Sequence, residues 1–145
     1  MSQDRLLRSG LQEDATQAYA ALGKTVGLSA GATHERVRKL CEPGVIRITA
    51  VEVDPAAVGS GVLAFVMVDS SAWTGDSGER LVAIRELQEA RIIAGSASVL
   101  GKVRTRTTEQ LRDILLRLYE IKGVSGPQAT VAVETLFERL ASTGA

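Results

Sequence analysis

The stretch from Ser29 to Lys39, SAGATHERVRK, holds the residues whose types and spacing could do chemistry. Arg36, Arg38 and Lys39 are cationic donors for phosphate or for the acceptor edge of a base. His34 and Glu35 add a donor and an acceptor, and Ala32 is small enough to allow close approach. Ser29 can accept a bond from the first free amides of a helix and still donate its hydroxyl hydrogen to a phosphate. This is the chemistry of recognition rather than turnover. Ala32, His34, Glu35 and Arg38 are the candidates for base edges, Arg36 and Lys39 for phosphate or structural contacts. No catalytic residue is assigned: no serine has a histidine partner, since His34 is the single histidine and belongs to this stretch. The carboxylate pairs Glu13-Asp14 and Glu86/Glu89 read as caps or solvated helix faces. Cys41 is the single cysteine, which excludes an intramolecular disulfide and, beside one histidine, a zinc-ligand set. Neither a metal nor a cofactor is expected.

Two helices must position these residues. Tyr19, Leu22 and Val26 recur at i, i+3 and i+7, one face of a first helix. Gly27 supplies a turn residue tolerant of positive φ, Leu28 fills the gap, and Ser29 is a good N-cap for a second helix. There Thr33, Val37 and Leu40 repeat the inward stripe, and Pro43-Gly44 ends it. A bihelical unit with a glycine turn is the helix-turn-helix pattern, whose second helix enters the major groove of double-stranded DNA. An αα-hairpin with no such role would share the apolar pattern; the outward His34, Arg36, Arg38 and Lys39 favour DNA.

The chain of 145 residues can form one large or two small domains, and its 17 basic and 17 acidic residues balance. Residues 28–48 nevertheless hold two more basic than acidic side chains, a modest basic patch. The longest apolar run, Val62 to Val68, is seven residues, too short to span a bilayer, and the N-terminus lacks the apolar core of a signal peptide. A cytoplasmic, nucleoid-associated protein without a membrane partner is expected.

Residues 4–11 read as a short first helix with Leu7 and Leu11 inward, and Asp14 or Thr16 as a cap for the next. Ile46 to Val53 is rich in β-branched residues and reads as a hinge strand, followed by the breaker cluster Asp54 to Ser60. Then come a buried strand at 62–68, a polar loop at 69–78, a helix over Glu79 to Gln88 with Leu81, Ile84 and Leu87 inward, and strands near 90–97 and 99–106. A clear helix at 108–119 and a last strand at 129–136 complete the order βαββαβ, the ferredoxin-like arrangement, with both helices on one face of a four-stranded antiparallel sheet. The domains are therefore placed at 1–45 for the helix-turn-helix head, 46–60 for the hinge strand and linker, and 61–145 for the sheet domain. The uncovered sheet face predicts oligomerisation. The fold class is α+β.

Two sequence matches are set aside. Gly59 to Ala64 fits G-x-G-x-x-A but opens a strand instead of a helix, and Gly95 to Lys102 has the wrong glycine spacing for a phosphate loop and Val103 where magnesium needs Ser or Thr. An RNA-recognition module would need stacking aromatics on its middle strands. Phe65, Trp73, Tyr119 and Phe137 are the aromatics of this half, and neither middle strand carries one.

With both halves in view the chain resembles the Lrp/AsnC family of feast/famine regulators. LQED (11–14), YAALGKTVGLS (19–29), RVRKL (36–40) and GVI (44–46) carry the likeness in the head, with VDP (53–55), Gly59 and GV (123–124) beyond it. The resemblance implies a winged-type helix-turn-helix head, a hinge strand, and an effector-binding tail that dimerises and often stacks dimers into octamers. It also implies a small-molecule effector, commonly an amino acid, near the turn Gly95-Ser96-Ala97-Ser98. Two positions depart from the family pattern. Thr33 stands where valine is usual, which suits the fold if its hydroxyl bonds the preceding turn. Ser98 stands where the family shows aspartate, so a different ligand, or DNA binding independent of any effector, is expected. The reading is a sequence-specific transcriptional regulator acting as a homodimer or larger assembly. The alternative is a small-molecule-sensing subunit that acts through protein partners.

Overall fold

A computed structural model describes residues 2–70 and 76–143, with Asp76 and Ser77 in backbone only. Three helices come first, α1 (Gln3–Glu13), α2 (Tyr19–Val26) and α3 (Ala30–Cys41). Ser2 caps α1 by accepting from the Arg5 amide at 3.2 Å. Asp14 is the C-cap of α1 and not an N-cap for α2; its carboxylate accepts from both the amide and the hydroxyl of Thr16 in an Asx turn, and those bonds hold its pKa below the ordinary value. Alternating i, i+3/i+4 apolar positions bury one stripe on each helix, and Leu7, Leu22, Val26, Val37 and Leu40 meet as one core.

The strand expected over Ile46 to Val53 does not form. Among the described residues no backbone ladder reaches it, and Ile48 and Val51 are strongly exposed. Its β-branched composition suits a strand, but a strand needs a partner. The breaker cluster that follows does turn: the Asp54 carboxylate accepts from the Ala56 amide, the Ser60 amide donates to the Pro55 carbonyl at 2.7 Å, and Gly59 takes φ +77°.

The rest of the chain is β1 (Val62–Ser70), α4 (Asp76–Val82), β2 (Leu87–Ile92), β3 (Val99–Thr105), α5 (Thr108–Tyr119) and β4 (Val124–Ala132). The four strands lie in the order β2-β3-β1-β4, all neighbours antiparallel, so β1 with its Phe65 is a middle strand and the expectation that neither middle strand carries an aromatic does not hold; β3 has none. Three boundaries differ from the sequence expectation. The helix expected at 79–88 is α4, earlier and shorter; its inward stripe Leu81, Ile84, Leu87 survives, but Ile84 sits in a turn and Leu87 already pairs with Val103 in β2. The strand placed at 90–97 therefore begins and ends earlier, and the last strand starts at Val124 instead of Ala129. Positions 71–75 of the expected polar loop, Trp73 among them, lie outside the described residues.

Every second residue of β1, Ala64, Val66 and Val68, faces Leu111, Ile114 and Leu118 of α5 in a core shared with Val99, Val103 and Ile84. The other side of β1 is less covered: Phe65, expected in a buried strand, is 39% exposed. The chain separates into two compact units, one reaching to Glu52 and taking in the chain from Glu138 onward, the other Val53 to Phe137. In the first unit, Arg8 and Gln12 of α1 donate to the main-chain carbonyls of Thr143 and Ala141.

Candidate nucleic-acid interface and effector turn

The turn between α2 and α3 is as tight as the helix-turn-helix pattern requires. Gly27 takes φ +75°, a left-handed conformation that a side chain would strain. A Cβ on Gly23 would stand 2.4 Å from the Leu28 carbonyl oxygen and 2.6 Å from the Thr33 hydroxyl, so α2 can pass this close to the turn only with glycine there. Ser29 caps α3 by accepting from the Ala32 amide at 3.2 Å. Thr33 is fully buried, and its hydroxyl donates to the Ser29 carbonyl at 2.8 Å, the bond that lets a polar residue occupy this inward slot.

With Thr33, Val37 and Leu40 turned inward, Ala32, His34, Glu35, Arg36, Arg38 and Lys39 are all exposed. The structure divides them further. Arg36 lies at the border of the buried stripe and reaches α1, where it pairs with Asp4 at 2.9 Å. Glu35 and Arg38 lie on the outermost ridge and are bonded to each other. The Arg38 Nε donates to one Glu35 oxygen at 3.0 Å and Nη2 to the other at 2.6 Å, while Nη1 bonds Glu42. These bonds hold the Glu35 carboxyl below its ordinary pKa and push the Arg38 guanidinium up. His34 is placed by Tyr19, whose ring meets it edge-on with centroids 5.0 Å apart. Tyr19 was expected on the inward face of α2; it is 39% exposed instead and belongs to this surface. Sequence reasoning also passed over Glu42 and Asp4 as partners. The i, i+4 spacing of Arg38 and Glu42 was a usable signal, whereas Asp4 is brought to Arg36 only by the packing of α1 on α3.

In the second unit the residues 93–98 close the connection between β2 and β3. The Ile93 amide donates to the Ser98 carbonyl at 2.9 Å, and the Ser98 amide donates to the Val68 carbonyl at 3.1 Å. Gly95 and Ser96 are exposed, and Ala97 and Ser98 are half-buried. Gly95 leaves open space where a Cβ would stand. A cavity of about 470 Å³ lies nearby, lined by α4 residues Leu81 and Val82 and by β2 residues such as Leu87, Ala90 and Ile92; the 95–98 turn is not part of its wall. Among the described residues no cluster of His, Cys, Asp and Glu could hold a metal ion, and no helix is long and apolar enough to cross a membrane.

Comparison with known proteins matches both units. Residues 3–40 match the AsnC-type helix-turn-helix domain and residues 62–141 the Lrp/AsnC ligand binding domain. The chain is similar to the HTH-type transcriptional regulator FL11 of Pyrococcus abyssi, 32% identical over 133 residues that cover 91% of this chain and 88% of that one. It is also similar to the HTH-type transcriptional regulator AldR of Mycolicibacterium smegmatis, 33% identical over 138 residues covering 92% and 81%. Among solved structures, a feast or famine regulatory protein of Mycobacterium tuberculosis complexed with L-methionine superimposes with a TM-score of 0.88 at 29% identity, covering 97% of both chains.

Proposed function

This chain belongs to the Lrp/AsnC family of DNA-binding transcriptional regulators, and from that premise we propose that it grips duplex DNA as a homodimer or larger assembly, with α3 in the major groove. One observation carries the reading: the buried stripe Thr33, Val37 and Leu40 turns His34, Glu35, Arg38 and Lys39 together to solvent on a helix seated by a glycine-tight turn. Ser29 and Lys39 take phosphates, and Ala32, His34 and Arg38 lie toward base edges. Binding is the protein's activity in this account, and no reaction is assigned to it. Its place is with the nucleoid, in the cytoplasm.

Self-association is supported by two surfaces of the chain. Phe65 is partly exposed on the side of the sheet away from α5, and Ile48 and Val51 carry strand-forming side chains in a segment that, among the described residues, no ladder covers. Octamers built of stacked dimers follow from the family likeness.

A small molecule bound to the second unit modulates this binding. The regulator structure with bound L-methionine makes an amino acid the reference ligand. Ser98 offers an amino acid's ammonium group a hydroxyl but no charge. Serine keeps one hydrogen bond to that ammonium but lacks the opposite charge that strengthens it, so an amino acid binds at the 95–98 turn more weakly than it would beside a carboxylate. Titration of duplex DNA with the full chain tests the principal reading. Arg38→Ala lowers affinity for the preferred duplex by about 5- to 150-fold, the discrimination of one bidentate base contact. Wild-type affinity in that variant removes Arg38 from the interface.

A further inference from the structure

Arg38 has five N–H donors in a fixed planar fork. Glu35 occupies Nε and one hydrogen of Nη2, and Glu42 occupies one hydrogen of Nη1. Two donors remain, one on each terminal nitrogen, and they form a parallel fork where Glu42 takes the Nη1 hydrogen on the Cδ side. The residue that could have swept the surface as a flexible cation is held by two carboxylates, one three residues before it and one four residues after it. All three side chains are about half exposed, so the clamp is reached by a ligand without unfolding anything. It sits on the ridge opposite the buried stripe, where Gly31, one turn earlier, leaves open space in which a Cβ would meet nothing within 4 Å.

We infer that Glu35 and Glu42 are positioning residues that present Arg38 as a pre-oriented two-donor fork for the O6 and N7 acceptors of a guanine, and that they thereby set the sequence specificity of the reading helix. The inference rests on the DNA-binding function proposed above. Two features of the clamp act in the same direction. Clamping removes part of the rotamer freedom that a free arginine would lose on binding, and that saving is realised only where two acceptors match the two remaining donors. The clamp also carries a net charge of −1, two carboxylates against one guanidinium, so the centre of the helix repels an arbitrary phosphate. Non-specific binding loses attraction there, and specific binding keeps its fork. The pKa of Glu35, held low by its bonds to Arg38, keeps that carboxylate ionised at neutral pH.

The test uses the full chain and a pool of duplexes with a randomised central window, from which the wild type selects its preferred sequence. Affinities for that sequence and for a scrambled duplex are then measured for wild type, Glu35→Gln, Glu42→Gln and Arg38→Ala, with thermal melting to confirm folding. The ratio of the two affinities falls about 2- to 12-fold in each glutamine variant, the cost of immobilising one long side chain anew. Repeating the selection with Arg38→Ala erases a guanine preference at one position, and the glutamine variants relax preference at that same position. An unchanged ratio, with both affinities rising together in Glu42→Gln, overturns the inference and leaves a clamp that merely withholds charge. A wild type that selects no sequence at all overturns the underlying DNA-reading function, a failure distinguishable from the first.

Discussion

Thr33 is a polar side chain at full burial, and its hydroxyl is satisfied by the Ser29 carbonyl, which also accepts the Thr33 amide at 2.9 Å. Replacing it by valine exchanges a bond of about 0.5–1.5 kcal/mol net for a buried methyl of about 0.8 kcal/mol, and the carbonyl keeps its amide partner. Thr33→Val therefore shifts the denaturation midpoint by less than about 1 kcal/mol equivalent. Val37, four residues on, has no such exchange: Val37→Ala opens a cavity between α2 and α3 and costs about 1–3 kcal/mol in the same measurement. Arg38→Ala, on the exposed side, leaves the midpoint nearly in place. The clamp on Arg38 also has a pH signature. Because the folded-state pKa of Glu35 is depressed below the ordinary 4.5, the stability it contributes is fully present above that value and is lost as pH falls through the lower folded value. The stability difference between wild type and Glu35→Gln is thus constant near neutrality and vanishes in acid. A difference that persists unchanged well below that pH would show that Glu35 does not act through its charge.

At the scale of elements, the glycine-tight approach of α2 to the turn is the most exposed to test. Gly23→Ala drives a Cβ into the Leu28 carbonyl and the Thr33 hydroxyl, so α3 must shift on its base. The expected result is a loss of about 1–3 kcal/mol in the helical unit together with loss of DNA binding, while the sheet unit melts as before. Retained binding with unchanged melting would mean that the turn yields more easily than its geometry suggests. Local pattern was a sound guide where an element satisfies itself. The stripes of α3 and α5, that of α2 apart from Tyr19, and the glycine turn were legible because helical periodicity and capping are encoded within a few residues. Ile46 to Val53 misled because β-branched composition states only that a segment would suit a sheet, and whether a partner strand exists is not local information. The early end of α4 was hidden for a related reason: Leu81, Ile84 and Leu87 keep helical spacing through a turn and into β2, and only the pairing of Leu87 with Val103 shows the change. The outward face of α3 was legible in the spacing of its residues, but its internal bonding was not. Arg38 and Glu35 were read as separate contacts to bases, and the structure joins them.

For the molecule as a whole, the proposed division of labour is between two units with separate cores: a head that holds duplex DNA and a sheet unit that brings heads together. The full chain is expected to sediment as a dimer or larger, and Phe65→Asp, which places a charge on the less covered side of the sheet, shifts it toward monomer without loss of secondary structure. A chain that is monomeric from the outset would leave each head to bind DNA alone. That this protein acts by holding duplex DNA through the outward face of α3 and the phosphate contacts around it is tested by the salt dependence of its binding to duplex DNA. Each phosphate neutralised by the protein releases counterions, so the logarithm of the binding constant should fall steeply with the logarithm of salt concentration, by about 0.9 for each phosphate contacted. Binding that is absent at low salt, or that does not weaken as salt rises, would contradict it.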